Sequence, residues 1–199
     1  MHTALKTTTS RCQSAYTSGV SSKVISVSRS ASYSFSKFTE PSILLLAGLG
    51  VEGDAHCGET VRHRYKVRQD PTAPNLCQVH LLQEELFAEL AGEGIDVSPG
   101  AMGENITTRG IDLLTLPRGT LLRLGESAVV SVTGLRDPCA QMNGLRPGLM
   151  KACLARSGSG EIVRKSGIMS IVIAGGIVRP DDSISIQFPS PPFLPLGPV

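Results

Sequence analysis

The grouping in this chain best suited to chemistry is a thiol placed between charge and a rigid proline. It is Cys139, in the run Gly134-Leu-Arg-Asp-Pro-Cys-Ala-Gln-Met142. A thiolate is both a nucleophile and a soft-metal ligand. Arg136 supplies a nearby cation, and Pro138 restricts the backbone just before the thiol. The plainer alternative is an inert buried thiol, the common condition of a lone cysteine. Its loop position beside charge sets Cys139 apart from Cys12, Cys57, Cys77 and Cys153. Cys153 reads as a core residue of a short helix. No Ser-His-Asp set or papain-like pattern accompanies Cys139, which argues against hydrolase chemistry.

Other residues carry weaker signals. Asp54, His56, Cys57, His63, Cys77 and His80 are all metal-ligand types, and Cys77-x-x-His80 has a spacing that zinc accepts. The second pair is irregular, and His80 falls on an alternating stretch where an ordinary hydrogen-bonded side chain is equally at home. Gly48-Leu-Gly-Val-Glu-Gly53 matches G-x-G-x-x-G, but dinucleotide binding needs a helix to open at the third glycine. Asp54-Ala-His-Cys-Gly58 has no helical periodicity, and Asp70 precedes a proline. A glycine-rich turn presenting amides to an anion remains. Arg62, Arg64, Lys66 and Arg68 alternate with His63, Tyr65 and Val67. On extended backbone the four cations share one face, suited to an anionic group or to guarding an edge strand. Arg62, Arg64 and Arg68 suit bidentate phosphate contact better than lysine does. In Gly100-Ala-Met-Gly-Glu-Asn105 a turn projects Glu104 and Asn105 side by side. An amide can pair with a heterocycle edge; a polar turn with a capping Asn is the plainer alternative.

The elements that position these groups are short and mostly β. The chain has 199 residues, 41% hydrophobic, with aromatics at 4% and no Trp, so its core is aliphatic. The 21 Gly and 13 Pro imply many turns. Net charge is +2 without a run of one sign, which argues against nucleic-acid binding. No apolar stretch approaches the ~20 residues of a membrane span. The odd count of 5 Cys suggests reduced thiols in a cytoplasmic protein. Residues 1–22 read as a flexible N-terminal arm, although their Ser- and Thr-rich, acid-poor composition also suits an organelle transit peptide.

The domain then runs from 23 to 199. Strands are expected over 23–28, 42–47, 76–82, 169–174 and 183–188, with a hairpin over 120–124 and 128–133. A helix is expected over 83–91, where Leu82, Leu86 and Leu90 recur and Gly92 and Gly94 end it. A shorter one starts at Pro147 and reaches about 155. Residues 189–199 are Pro-rich and extended. The pattern implies a mostly-β fold, a β-barrel with two or more short helices.

Several motifs recur in one order: Gly50-Val-Glu-Gly-Asp-Ala-His56, Gln78-Val-His-Leu81, Met102-Gly-Glu-Asn-Ile-Thr-Thr108, Val132-Thr-Gly-Leu-Arg136, Pro138-Cys139 and Gly167-Ile-Met169. Together they resemble the MOSC domain family, named for the C-terminal part of molybdenum cofactor sulfurase, and in particular its small stand-alone bacterial-type members. The resemblance implies a barrel related to the pyruvate kinase barrel domain. It implies a molybdenum–pterin cofactor (molybdopterin), with Cys139 as the family's single cysteine and molybdenum ligand. Asp54, His56, Arg64, Arg68, Glu104, Asn105 and Arg136 would then bind the cofactor.

Some relatives reduce N-hydroxylated compounds with external electron-donor proteins, which makes an oxidoreductase acting on a small molecule the first expectation. The alternative is a non-catalytic carrier of the cofactor, or of persulfide sulfur on Cys139, serving a delivery partner. No pyridoxal phosphate site is recognised in the chain. Three positions depart from the family pattern. Cys77 stands where an Arg is common, so Arg68 or Arg64 would have to replace it. Asp137 stands where Asn is common, adding a negative charge beside Cys139 that Arg136 would have to offset. Pro180-Asp-Asp182 replaces a Pro-Gly-Asp turn, which Asp181 can serve by entering the left-handed region.

Overall fold

The computed structural model describes residues 21–158 and 160–199. The expected arm lies almost wholly outside the described residues. The expected domain start coincides with the first strand, β1 (Lys23–Arg29).

Alternation shapes most strands. In β8 (Ala128–Leu135) every second residue is buried, and a tight turn joins it to β7 (Leu121–Leu124) as the expected hairpin. β11 (Ile168–Ala174) and β13 (Ile184–Gln187) follow nearly the same rule. β5 (Val79–Gln83) departs from it, because Val79, His80, Leu81 and Leu82 are all buried. It lies between β11 and β6 (Ile106–Arg109), running parallel to β6, and both of its faces are covered. Val79 and Leu81 enter the main aliphatic core. Leu82 joins a second cluster with Leu86 and Leu90 of α2 (Glu85–Gly92), and His80 shares its face of the strand. The helix starts later than the apolar spacing suggests because Gln83 still pairs with Thr108 in the ladder.

The largest sheet has eight strands in the order β13-β7-β8-β11-β5-β6-β1-β2, with β2 at Phe38–Glu40. β12 (Gly176–Val178), β3 (Ile43–Leu46) and β4 (Gly50–Val51) form a second sheet. β9 (Leu154–Arg156) and β10 (Ile162–Arg164) form a small hairpin. In ladder order β13 and β2 are the ends, but backbone hydrogen bonds also join the β1 end to the β13 end: Ile184 N–H donates to Ser22 O at 2.9 Å and Asp181 N–H to Val24 O at 2.9 Å. A bridge between Lys23 and Ser183, with Val24 N–H donating to Asp182 O at 2.9 Å, brings β1 up to the start of β13. In the turn before it, Asp181 takes φ 68° as anticipated, and its carboxylate accepts from Lys23 Nζ at 2.7 Å.

Two expectations are corrected. Residues 62–68 are not an extended cationic face: α1 (Arg64–Gln69) is a helix, inside an excursion closed by a Thr60–Pro74 bridge. No ladder partner reaches this segment among the described residues, so its amides are satisfied locally, as in Val67 N–H to His63 O at 3.0 Å. The helix expected from Pro147 is also shorter. Only α4 (Leu149–Ala152) falls in that span before β9 begins, and a separate one-turn helix, α3 (Met142–Leu145), precedes Pro147. Cys153 is fully buried, as expected.

The Pro-rich tail is extended and docked. Leu135 N–H donates to Gly197 O at 2.8 Å and Val199 N–H to Leu135 O at 3.2 Å. Gly134 permits this approach: a Cβ there would collide with the Val199 side chain and sit 2.5 Å from Gly197 O. The tail therefore lies beside the strand end from which Arg136 and Cys139 emerge.

Candidate functional site

Four loops converge beside β5: residues 30–37, 48–58, 100–105 and 136–142. Asp54 is the knot that ties the first three. Its carboxylate, 2% exposed, accepts from Lys37 Nζ at 2.7 Å, Asn105 Nδ2 at 3.1 Å and Ser30 N–H at 3.2 Å. Its other oxygen accepts from His56 N–H at 2.9 Å and meets His56 Nδ1 at 3.2 Å. Burial would raise this carboxyl. The hydrogen bonds from His56 and the charge of Lys37 outweigh it and hold Asp54 well below the usual carboxylate range. Burial in turn pulls the Lys37 ammonium down against the opposing pull of Asp54.

Glu104 and Asn105 do not project outward, which corrects the expectation that they offer a free polar edge. Glu104 is fully buried and accepts from Gly100 N–H at 2.6 Å, Met102 N–H at 3.1 Å and Thr107 Oγ1 at 3.2 Å. Burial pushes its carboxyl up. Asn105 accepts from His80 N–H at 3.2 Å and donates to Ser28 O and to Asp54. His80 Nε2 donates to Ser166 O at 2.8 Å, and burial pushes its imidazole down to about 3, so it is neutral. Gly167 admits that bond: its φ is +90°, and a Cβ would collide with Leu81 O and stand 3.0 Å from His80 Nε2.

Cys139 is half-buried at the edge of the second cluster, with Phe35 beside that cluster too. Its thiol reaches Gln141 Oε1 at 3.9 Å. Arg136 lies over the Phe35 ring at 5.6 Å and directs Nη1 to Met142 Sδ at 3.6 Å. Among the described residues no ion pair engages Arg136, although burial depresses its guanidinium and Cys139 and Glu104 oppose that effect. The charge of Asp137 is met by Arg164 Nε at 2.7 Å, not by Arg136 as anticipated. On the other side of the 30–37 loop, Tyr33 meets the His56 ring edge-on at 5.6 Å, and His63 stacks on His56 at 6.5 Å.

The remaining candidates lie apart from this cluster or are committed elsewhere. Arg64 and Arg68 are exposed on α1, and no hydrogen bond or ion pair joins either to Asp54, Arg136 or Cys139 among the described residues. It is Lys66 that reaches Cys77, with Nζ 3.6 Å from Sγ, so neither Arg68 nor Arg64 supplies a cation there. The glycine-rich turn is no anion cradle, since the N–H groups of Gly48, Leu49, Glu52, Ala55 and Gly58 all donate to protein carbonyls. Gly53 opens no helix. Among the described residues no three His, Cys, Asp or Glu side chains converge as metal ligands, and the four described cysteines are free. Sequence reasoning missed Lys37, Tyr33, Phe35 and Arg164. The run Ser32-Tyr-Ser-Phe-Ser-Lys37 held a signal, because a chain with so few aromatics places two of them two residues apart.

A mostly-β domain that presents one soft thiol beside a free guanidinium defines the class. The chain belongs to the MOSC domain family, whose model matches residues 68–185. That family is associated with molybdenum cofactor binding. No match was found among curated proteins. Among solved structures, the chain is similar to the YuaD protein of Bacillus subtilis, with TM-score 0.70 and 23% identity over 86% of this chain and 98% of that one. It is also similar to YiiM from Geobacillus stearothermophilus, with TM-score 0.61 and 18% identity over 87% and 79%. YiiM from Escherichia coli gives TM-score 0.57 and 22% identity over 88% and 74%. At these identities the likeness concerns the fold alone. No helix among the described residues is long and apolar enough to cross a membrane.

Proposed function

We propose that this chain binds a molybdenum–pterin cofactor through Cys139 and Arg136 and reduces small N-hydroxylated compounds with electrons from an external donor protein. The observation that carries the reading is a half-buried thiol near a guanidinium that no carboxylate engages among the described residues. A desolvated, unpaired cation is costly unless an anion completes it. A soft thiolate suits a sulfur-ligated metal, so the donor set fits an anionic, sulfur-bound group. When bound, that group supplies the two-electron redox centre.

The protein's own residues do the rest. Cys139 is the soft ligand, and Arg136, held by Phe35, takes up negative charge. Arg164 keeps Asp137 from adding uncompensated charge at the thiol. Asp54, Lys37 and Asn105 bind one another and Glu104 holds the 100–105 turn, so they support the site from behind.

The test is to purify the protein from a host that makes the cofactor, then measure molybdenum, zinc and released pterin. Near-stoichiometric molybdenum and pterin are expected in wild type, with metal lost or turnover abolished in Cys139→Ala. Bound pterin without turnover under any donor transfers the reading to a cofactor carrier, and zinc without pterin overturns both.

A further inference from the structure

Asp54 does more than tie loops together. Its Oδ1 accepts from the backbone N–H of His56 at 2.9 Å and also faces that residue's Nδ1 at 3.2 Å. The ring is thus pinned by two points of the same carboxylate. The carboxylate is itself immobilised, with Lys37, Asn105 and Ser30 on its other oxygen. A carboxylate can only accept, so Nδ1 carries the proton, and Nε2 has no hydrogen-bond partner among the described residues. The His56 side chain is 27% exposed whereas Asp54 is 2% exposed, so only the imidazole meets the outside. Tyr33 and His63 flank the ring without a hydrogen bond between either side chain and it among the described residues. Tyr33 lies two residues before Phe35, on which Arg136 rests. The imidazole and the Arg136–Cys139 pair therefore stand at the two ends of one short segment. A buried carboxylate that fixes the tautomer of a half-exposed histidine is the arrangement of an oriented general acid–base.

We infer that His56, aligned by Asp54, is the proton-delivering residue of the site and protonates the leaving oxygen of the substrate. The inference rests on the reductase reading above. Reduction of R–NHOH to R–NH2 and water consumes two electrons and two protons. Two equivalents of a one-electron donor protein supply the electrons, and the N–O bond breaks. The departing hydroxyl takes the Nε2 proton of the His56 imidazolium, which leaves the neutral Nδ1–H ring, and departs as water. The second proton reaches nitrogen from solvent, and a further solvent proton restores His56. Asp54 stays ionised throughout and acts as a positioning residue.

Two measurements test this. On the full chain without cofactor, two-dimensional nitrogen NMR should report the Nδ1–H tautomer for neutral His56; an Nε2–H tautomer overturns the alignment. His56→Gln, isolated from a cofactor-producing host, should keep wild-type molybdenum and pterin. With a chemical reductant as donor and a hydroxylaminopurine as substrate, its kcat should fall about 100-fold or more, the usual scale for a lost general acid. Unchanged turnover, or loss of the cofactor, overturns the inference while leaving the reductase reading intact. Wild type without pterin or molybdenum overturns that reading itself, whatever the tautomer.

Discussion

Lys37 shows how a single side chain can control several loops. Its ammonium is 5% exposed and its one carboxylate partner, Asp54, is 2% exposed. Truncation leaves that carboxylate buried with fewer donors, so Lys37→Ala is expected to cost about 3–5 kcal/mol in urea unfolding. The double variant Lys37→Met with Asp54→Asn should cost clearly less than the sum of the two single changes, because it leaves neither charge stranded. Additive losses would show that the two residues act separately. Lys37 was invisible as a partner of Asp54 in the sequence, since three strands, β2, β3 and β4, separate them. The placing of Cys139 near Arg136 was legible because the two lie three residues apart in the chain. The role of Arg164 was not, because it reaches Asp137 from a different hairpin.

At the scale of elements, the longer strands were readable, whereas the very short ones and the burial of β5 on both faces were not. The Gly125-Glu-Ser turn and the pattern of β8 give a hairpin directly. β5 reads as alternating in the sequence, yet its His80 face is covered by the layer that includes α2. The cationic segment 62–68 has the right period for a strand but lacks a ladder partner, and becomes α1. The tail illustrates the same dependence. Gly134→Ala would push a Cβ into Val199 and against Gly197 O. The expected outcome is a tail lifted from β8, with faster amide exchange at Leu135 and Val199. A stability loss of about 1–3 kcal/mol, the usual scale of overpacking, should accompany it. Unchanged protection at those amides would mean the tail contributes no hydrogen bonds in solution.

At the scale of the whole molecule, the buried His80 sets an acid limit on stability. Its imidazole is pushed down to about 3 by burial, whereas an unfolded histidine titrates near ~6.5. Between those values the unfolded chain binds the extra proton, so stability is full above the unfolded value and falls as pH drops through this window. The slope from one such group reaches at most about 1.4 kcal/mol per pH unit. Denaturant titrations between pH 6.5 and 4 should show this slope in wild type and a shallower one in His80→Gln. His63, also lowered by burial, contributes with the same sign in both proteins. Equal slopes would show that His80 is not kept neutral by the fold. Loss of Asp54 ionisation acts later, as pH falls below the ordinary carboxylate range, because its carboxyl is depressed.

The sequence by itself determined the mostly-β class, the aliphatic core and the family resemblance. Each of these depends on residue type, period-2 patterning or neighbours a few positions away, and such information is local. The tertiary structure decided what each polar residue does. Burial and hydrogen-bond satisfaction depend on residues distant in the chain: Asn105 meets Ser28, and Asp54 meets Lys37. Buried polar groups must find partners, so the motif residues turned inward, Asp54 and Asn105 to each other and Glu104 to the amides of its own turn. Arg136, Cys139 and His56 stay only partly buried.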